Sequence, residues 1–305
     1  MAEDSLVLVT GAGGGVGGVG RTVVKLLREH GLAVRAMVHH DDERAEALRE
    51  LGAHVVAGDL TRPTDVARAL DGVRRMFFSM SVSPSYLEAA ATVATVARAV
   101  GELEALVGIS QMTVSQMDVL STEESHQQRL HWLSEQVLNW SALPVVHIRP
   151  TIFLDNPLFT TLAARSIADS GTLQLPFGTG RTSPVAADDV ARVVATVLRD
   201  PRPHIGQVHE LTGPRSQAMT GVAEEYSRAL GRPVSYVDVP LDIWVDRVLS
   251  RAGLGPHAEE HIVTMARLHR QNRYDRSTRT VELITGRPAQ TIEEFVVRRT
   301  DLFTR

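Results

Sequence analysis

The 305-residue chain reads as an α/β protein, a doubly wound parallel sheet followed by a smaller α/β lobe. Three observations predict this. A short apolar run with β character, Leu6-Val7-Leu8-Val9-Thr10, enters a glycine-rich turn at 11–20 and then a helix-forming stretch at 21–27. Through residue 150, short apolar strands alternate with helices, the pattern of a parallel sheet covered on both faces. Past Pro150 that rhythm breaks into shorter elements punctuated by Asp155-Asn156-Pro157 and Arg181-Thr182-Ser183-Pro184.

Strand, glycine turn and helix in succession form the context of a dinucleotide-binding motif and make the sheet Rossmann-type. Glycines permit a tight turn and keep side chains from between the backbone and a pyrophosphate. The helix N-terminus adds free N–H groups and a partial positive charge. A nicotinamide cofactor, NADP or NAD, is therefore expected, with contacts at Thr10, Gly11, Gly14, Val16 and Gly17. Glycines three apart occur at 11, 14 and 17 and again at 14, 17 and 20. The first set abuts the strand and the second abuts the helix. One standard turn cannot hold both, so the loop is about one helical turn longer than it needs to be. A glycine-rich loop without a ligand is the bland alternative, and the flanking elements weigh against it.

The remaining elements follow in order. Strands are expected at 33–38, 54–57, 75–79, 106–110 and 145–149, each short and mostly apolar. Between them lie helices at 42–51, with Ala45, Leu48 and Leu51 on one face, and at 63–70, 85–100 and about 124–140. Right-handed crossovers then give the doubly wound sheet, with ligands at the carboxyl ends of its strands. Beyond 150, a helix at 188–199 carries Ala191, Val194, Ala195 and Leu198 on one face. Further elements are expected at 206–211, 218–230, 234–239, 240–252 and 256–271. The expected division is a cofactor-binding domain at 1–150, which also receives part of 181–212, and a smaller substrate lobe at 151–305.

Composition narrows the function classes. The 43% hydrophobic content suffices for a core, and the net charge of −4 comes from mixed signs without a basic stripe, which argues against nucleic acid. The absence of cysteine excludes disulfides and thiolate chemistry, and no His/Asp/Glu cluster argues for a metal. The acidic start Met1-Ala2-Glu3-Asp4 lacks the regions of a signal peptide, and the alanine- and valine-rich stretch at 87–100 is too short to span a bilayer. A cytoplasmic protein without a membrane partner is expected, with a homodimer as the default assembly.

Several segments resemble the NmrA-like family of atypical short-chain dehydrogenases/reductases. They are Val9-Thr10-Gly11-Ala12, Gly52-Ala53-His54-Val55-Val56-Ala57-Gly58-Asp59-Leu60 and Leu70-Asp71-Gly72-Val73, then Ile148-Arg149-Pro150 with Phe153, Leu211-Thr212-Gly213-Pro214 and Thr285-Gly286-Arg287-Pro288. Their order and spacing span nearly the whole chain. The resemblance implies a Rossmann domain with a small C-terminal lobe and NAD(P)(H) binding, serving quinone- or azo-type reduction or redox sensing. Fold likeness alone does not fix the chemistry. The glycine loop departs from the family by three extra residues. His39 stands where the resemblance implies a basic residue for the 2′-phosphate of NADP. Arg44, one helical turn on, could still reach that phosphate, with Asp41 and Asp42 opposing it; the balance leans slightly to NADP.

The Tyr-x-x-x-Lys pair of standard short-chain dehydrogenases is missing; the aligned helix reads His131-Trp132-Leu133-Ser134-Glu135. A quinone tolerates this loss, because its reduced oxygens are weakly basic and solvent can protonate them. His131 is the expected local proton donor, since imidazole titrates near neutrality; packing or capping is its alternative role. Glu135 reads more readily as a salt-bridging carboxylate. Ser110, ending the fifth strand, is expected to turn its hydroxyl to the crevice, or else to cap the strand. Ser79, Met80 and Ser81 should border the cofactor ribose. The resemblance implies that Asp59 bonds the adenine amino group and Leu60 packs on the ring, although Asp59 would also serve as a helix cap. It also implies that Pro150, Phe153 and Asn156 lie beside the nicotinamide, with Phe153 equally suited to the core. Trp244, Met265 and His269 are candidates for a roof over the pocket, or packing residues. Gln111, Met112 and Met117 would suit a flat apolar ligand.

Three functions follow. The first is an NAD(P)H-dependent oxidoreductase acting on a flat conjugated acceptor such as a quinone. The second is a non-catalytic NAD(P)-binding redox sensor with a protein partner. The third is a biosynthetic enzyme that uses the fold for non-redox chemistry.

Overall fold

The computed structural model of the chain describes residues 5–14 and 17–304. Strands β1 (Leu6–Thr10), β2 (Val34–Val38), β3 (His54–Ala57), β4 (Val73–Phe78), β5 (Ala105–Ile109) and β6 (Val145–Pro150) alternate with helices α1 (Val19–Glu29), α2 (Glu43–Glu50), α3 (Pro63–Leu70), α4 (Tyr86–Val100) and α5 (His126–Trp140). There follow α6 (Ala164–Ser170), β7 (Thr172–Leu175), β8 (Arg181–Thr182), α7 (Ala187–Arg199), β9 (Val208–Leu211), β10 (Gln217–Ala218), α8 (Met219–Leu230) and β11 (Ser235–Asp238). Helices α9 (Leu241–Arg247), α10 (Pro256–Arg270), α11 (Thr280–Thr285) and α12 (Ile292–Val297) complete the chain.

Seven strands make one sheet in the order β3-β2-β1-β4-β5-β6-β9, and all its pairings are parallel. Successive side chains of a strand face opposite ways, and β1 shows the consequence. Val7 and Val9 join the core that includes α1 and α7, whereas Leu8 joins the core with α3, α4 and α5. All three are fully buried, as strands covered on both faces must be. β9 enters this sheet from well beyond β6, with Pro150 opposite Leu211.

A separate apolar core lies between residues 152 and 303 and is centred on Phe159, Phe177, Tyr226, Trp244, Phe295 and Phe303. Asp155, just after β6, ties this part to the first. Its carboxylate accepts the Ala187 N–H at the start of α7 at 2.8 Å and pairs with Arg299 at 2.7 Å.

The expected elements at 54–57 and 63–70 match β3 and α3. The helix expected from about 124 begins at His126, because Ser125 and Gln128 form a reciprocal capping box that fixes its first turn. The short β7, β8, β10, α6, α11 and α12 were not anticipated. Strands β8 and β10 are two residues each, and only the pairing of Gln217 with Thr182 and of Ala218 with Arg181 makes them strands. No helix among the described residues is long and apolar enough to cross a membrane.

Candidate functional site

The strand order turns back at β1, whose neighbours are β2 and β4. Loops leaving the carboxyl ends of β1 and β4 diverge there and open a crevice. An open cleft of about 480 Å³ occupies this place. Its walls come from the β1 turn (Gly11, Gly13, Gly14), the end of β2 (Met37, Val38, His39, His40), the start of α2 (Asp42, Arg44), the segment after β3 (Gly58–Thr61) and the segment after β4 (Ser79–Ser81, Ser83, Ser85).

The glycines divide the work of the turn. Gly11 has φ +68°, and a Cβ there would stand 2.8 Å from the Ser79 carbonyl oxygen, so both conformation and space exclude a side chain. A Cβ on Gly20, inside α1, would stand 2.8 Å from Ala12 Cα. That sets α1 close against the turn leaving β1, the kind of tight packing a third glycine permits in such a motif. Gly11 and Gly20 thus bracket the loop, nine positions apart. Gly17 serves elsewhere: its missing Cβ would lie 2.8 Å from Ala187 Cβ, and the residue is not in the cleft wall. Gly14 does line the cleft, and Val16 lies outside the described residues. Gly18, at the N-cap of α1, supplies no side-chain cap, and the first turn of the helix itself carries no acidic residue.

Thr10 corrects an expectation. Its side chain is fully buried, and its hydroxyl donates to the Ser79 carbonyl at 2.8 Å and accepts the Ser79 N–H at 2.9 Å. It holds the Ser79 segment in place and does not reach the cleft. Asp59 and Leu60 do line it. Asp59 does not cap α3; its Oδ1 accepts the Thr61 N–H and hydroxyl at 2.9 and 2.8 Å, which holds its carboxyl below the usual range. Its Oδ2 faces His39 Nε2 at 4.0 Å. His39 in turn touches His40, Nδ1 to Nε2 at 2.8 Å. Arg44 donates to Asp42 Oδ2 at 2.5 Å and to the Gly13 carbonyl at 3.1 Å. The guanidinium therefore spans from α2 to the glycine turn, and its hydrogen bond holds the Asp42 carboxyl down at about 2.

Farther along the carboxyl edge, after β5, the expected catalytic residues sit together but not as expected. Ser110 Oγ donates to Glu135 Oε1 at 2.5 Å. Glu135 is buried and also receives Arg149 Nε at 3.0 Å and Nη2 at 2.5 Å. The Ser110 hydroxyl is thus turned to a buried ion pair and away from the cleft. His131 packs against Tyr86 with the rings tilted at 57° and 4.3 Å between their centres. Its Nδ1 lies 3.0 Å from the Gln111 amide and its Nε2 2.7 Å from the Gln127 amide. Burial pushes its pKa down to about 3, so the ring is neutral near pH 7 and is not the titrating proton donor expected of it. The Tyr86 hydroxyl is committed to the Ile109 carbonyl at 2.6 Å. The chain's single lysine, Lys25, lies on the surface of α1 against Glu29.

The other candidates are placed as follows. Ser79, Met80 and Ser81 line the cleft. Pro150 is buried in β6, and Phe153 packs on the main core and bridges to Val185; neither lines the cleft. Asn156 accepts the Leu158 N–H at 2.9 Å. Trp244 and Met265 belong to the second core. His269 is fully buried between Phe177 and Tyr274, with ring centres at 4.0 and 3.8 Å. Met112 is buried, while Met117 and Gln111 remain partly exposed. Among the described residues no group of three or more His, Asp or Glu could hold a metal. Sequence reasoning placed Gly20 in the glycine set that abuts the helix but assigned it no role. It missed the buried Gln127, for which the sequence carries no signal.

Residues 3–296 match the model of the NmrA-like family. The chain is 30% identical over 284 residues to an NAD(P)H azoreductase of Xenophilus azovorans, covering 92% of this chain and 94% of that one. Its fold superposes on an NADPH-dependent quinone oxidoreductase of Escherichia coli solved with NADPH, with TM-score 0.81, 22% identity and coverage of 97% and 99%. It superposes equally on NmrA, a negative transcriptional regulator solved with NADP, with TM-score 0.80, 18% identity and coverage of 97% and 95%.

Proposed function

The chain belongs to the NmrA-like family, and from that premise we propose that it is an NAD(P)H-dependent reductase of a flat, conjugated acceptor such as a quinone or azo compound. The cleft between the ends of β1 and β4 carries this reading. Its floor is side-chain-free at Gly11, Gly13 and Gly14, and the glycine turn leads along the chain into the N-terminus of α1. These features fit a pyrophosphate. Asp59 and Leu60 would hold the adenine, Ser79 and Met80 the nicotinamide half, and His39 with Arg44 a 2′-phosphate. Residues 1–150, with β9 and α7, form the cofactor-binding unit in this reading, and the remainder forms the acceptor lobe. Reduced nicotinamide, when bound, supplies a hydride.

The chain's own residues must then position the acceptor without a tyrosine activated by lysine. Lys25 is the only lysine, and the four tyrosines, Tyr86, Tyr226, Tyr236 and Tyr274, all have their pKa raised, chiefly by burial. An acceptor whose reduced oxygens take their proton from solvent suits such a site. Purified protein mixed with NADPH and a panel of quinones and azo dyes is expected to oxidise the cofactor. NADPH binding without oxidation by any acceptor would refute the reductase reading.

A second reading, a non-catalytic NAD(P)-binding regulator, draws support from Ser110 and His131, whose polar atoms are committed to protein partners. It requires cofactor binding without turnover and a specific protein partner.

A further inference from the structure

The hydrogen bonds around His131 fix which atom of Gln111 is free to meet a substrate. Gln127 is fully buried. Its Oε1 accepts the backbone N–H of Ser83 at 3.1 Å and faces His257 Nε2 at 2.8 Å. A backbone N–H can only donate, so the oxygen end of Gln127 is pinned there. Its NH₂ is then the group 2.7 Å from His131 Nε2. An amide NH₂ also only donates, so Nε2 accepts and the hydrogen of the neutral ring sits on Nδ1.

Nδ1 lies 3.0 Å from the Gln111 amide nitrogen, and two hydrogen-bearing nitrogens cannot face each other. A half-turn of that amide, whose oxygen and nitrogen are nearly equal in shape, brings the oxygen to Nδ1–H. The NH₂ of Gln111 then points away from His131, on a residue that is only partly buried.

The place suits a substrate contact. β4 and β5 are parallel neighbours, with Phe78 opposite Gly108, so the segments that follow them leave the sheet at adjacent points of its carboxyl edge. Ser83, in the cleft wall, holds Gln127; Gln127 orients His131; His131 orients Gln111, which immediately follows Ser110 after β5.

We propose that the Gln111 NH₂ is the hydrogen-bond donor to the acceptor oxygen that gains negative charge, with His131 and Gln127 as positioning residues that hold it in that orientation. The inference rests on the reductase reading. The acceptor, a quinone, takes a hydride with its two electrons from reduced nicotinamide and one proton from solvent. Gln111 keeps both of its hydrogens.

The tautomer is measured first, by long-range ¹⁵N–¹H correlation on ¹⁵N-labelled protein without cofactor, with His131→Gln identifying the signal. Hydrogen on Nδ1 is expected; hydrogen on Nε2 overturns the inference. Gln111→Glu is then assayed with NADPH and 1,4-benzoquinone. At pH 8 the carboxylate cannot donate, and kcat should fall about 100-fold, with NADPH affinity unchanged within about twofold. As the pH falls and the carboxyl regains a donating hydrogen, kcat should recover toward the parent. An unchanged kcat, or a loss that does not recover, overturns the inference. Gln127→Glu provides a second test: its carboxylate would draw the hydrogen to Nε2, reverse the amide of Gln111 and lower kcat without touching substrate. A reversed tautomer with full kcat would also overturn it. Failure of the parent to reduce the quinone while binding NADPH defeats the reductase reading and the donor role with it. The tautomer measurement needs neither cofactor nor substrate, so the two failures are distinguishable.

Discussion

Glu135→Gln is the most informative single perturbation of the region after β5. The carboxylate is 3% exposed and accepts three hydrogen bonds, from Ser110 Oγ, Arg149 Nε and Arg149 Nη2. Glutamine keeps the shape but leaves the Arg149 guanidinium, itself only 17% exposed, without a countercharge. In one orientation its NH₂ also meets the Nη2 donor; in the other it meets Nε. Removing one member of a buried ion pair costs about 3–5 kcal/mol. Glutamine retains one accepting oxygen, which places this substitution near the lower figure, about 3 kcal/mol. For a chain of this size, that corresponds to a fall in melting temperature of about 6 °C. Urea denaturation of the parent, Glu135→Gln, Glu135→Met, Arg149→Met and Glu135→Met/Arg149→Met reads the cost directly. The double variant should lose less than the sum of Glu135→Met and Arg149→Met by about 2 kcal/mol or more, because it leaves no buried charge unpaired. A loss below about 1 kcal/mol for Glu135→Gln, or simple additivity in the pair, would refute the claim that these groups act as one buried unit.

Three further outcomes are expected. Gly20→Ala places a methyl 2.8 Å from Ala12 Cα; moving α1 away should cost about 1–3 kcal/mol by thermal denaturation, and an unshifted melting curve would contradict the close packing. Arg44→Ala should weaken NADPH about tenfold and leave NADH within about twofold, as titration calorimetry can measure; equal losses would remove Arg44 from the 2′-phosphate site. Acid should destabilise the fold through His131, His261 and His269, whose pKa values burial lowers to about 3, about 4 and about 3 from 6.5. Below pH 6.5 the unfolded chain takes up protons that the folded chain refuses, so stability present above that pH is lost progressively toward pH 4, at up to about 1.4 kcal/mol per pH unit for each ring. Urea midpoints at pH 7 and pH 5 test this, and equal midpoints would refute it.

The first half of the fold was legible because its signals are local. The apolar run of β1, the proline opening α3 and the serine before α4 each mark a boundary without reference to distant residues. Residues lining the cleft were legible for the same reason: Gly11, His39, Asp59, Leu60, Ser79 and Met80 follow directly from the strand ends. The direction of a side chain was not. Ser110 follows β5 as expected, but its hydroxyl follows Glu135, whose position is set by Arg149 on β6. His131 looked titratable because nothing in the sequence shows that Tyr86, Gln111 and Gln127 enclose it. Strands β8 and β10 exist only through each other, across thirty-five positions of chain from Thr182 to Gln217.

The central claim is that the cleft at the β1–β4 divide holds a nicotinamide cofactor on its glycine turn. Calorimetric titration of the parent and of Gly11→Val with NADPH, NADP⁺, NADH and NAD⁺ tests it most directly. Valine at position 11 would have to adopt φ +68° with its Cβ 2.8 Å from the Ser79 carbonyl oxygen, so the turn must move. The expected result is saturable one-to-one binding by the parent, with NADPH preferred, and loss of binding in a variant that still melts cooperatively. No binding by the parent, or unchanged binding by a folded Gly11→Val variant, would contradict the claim.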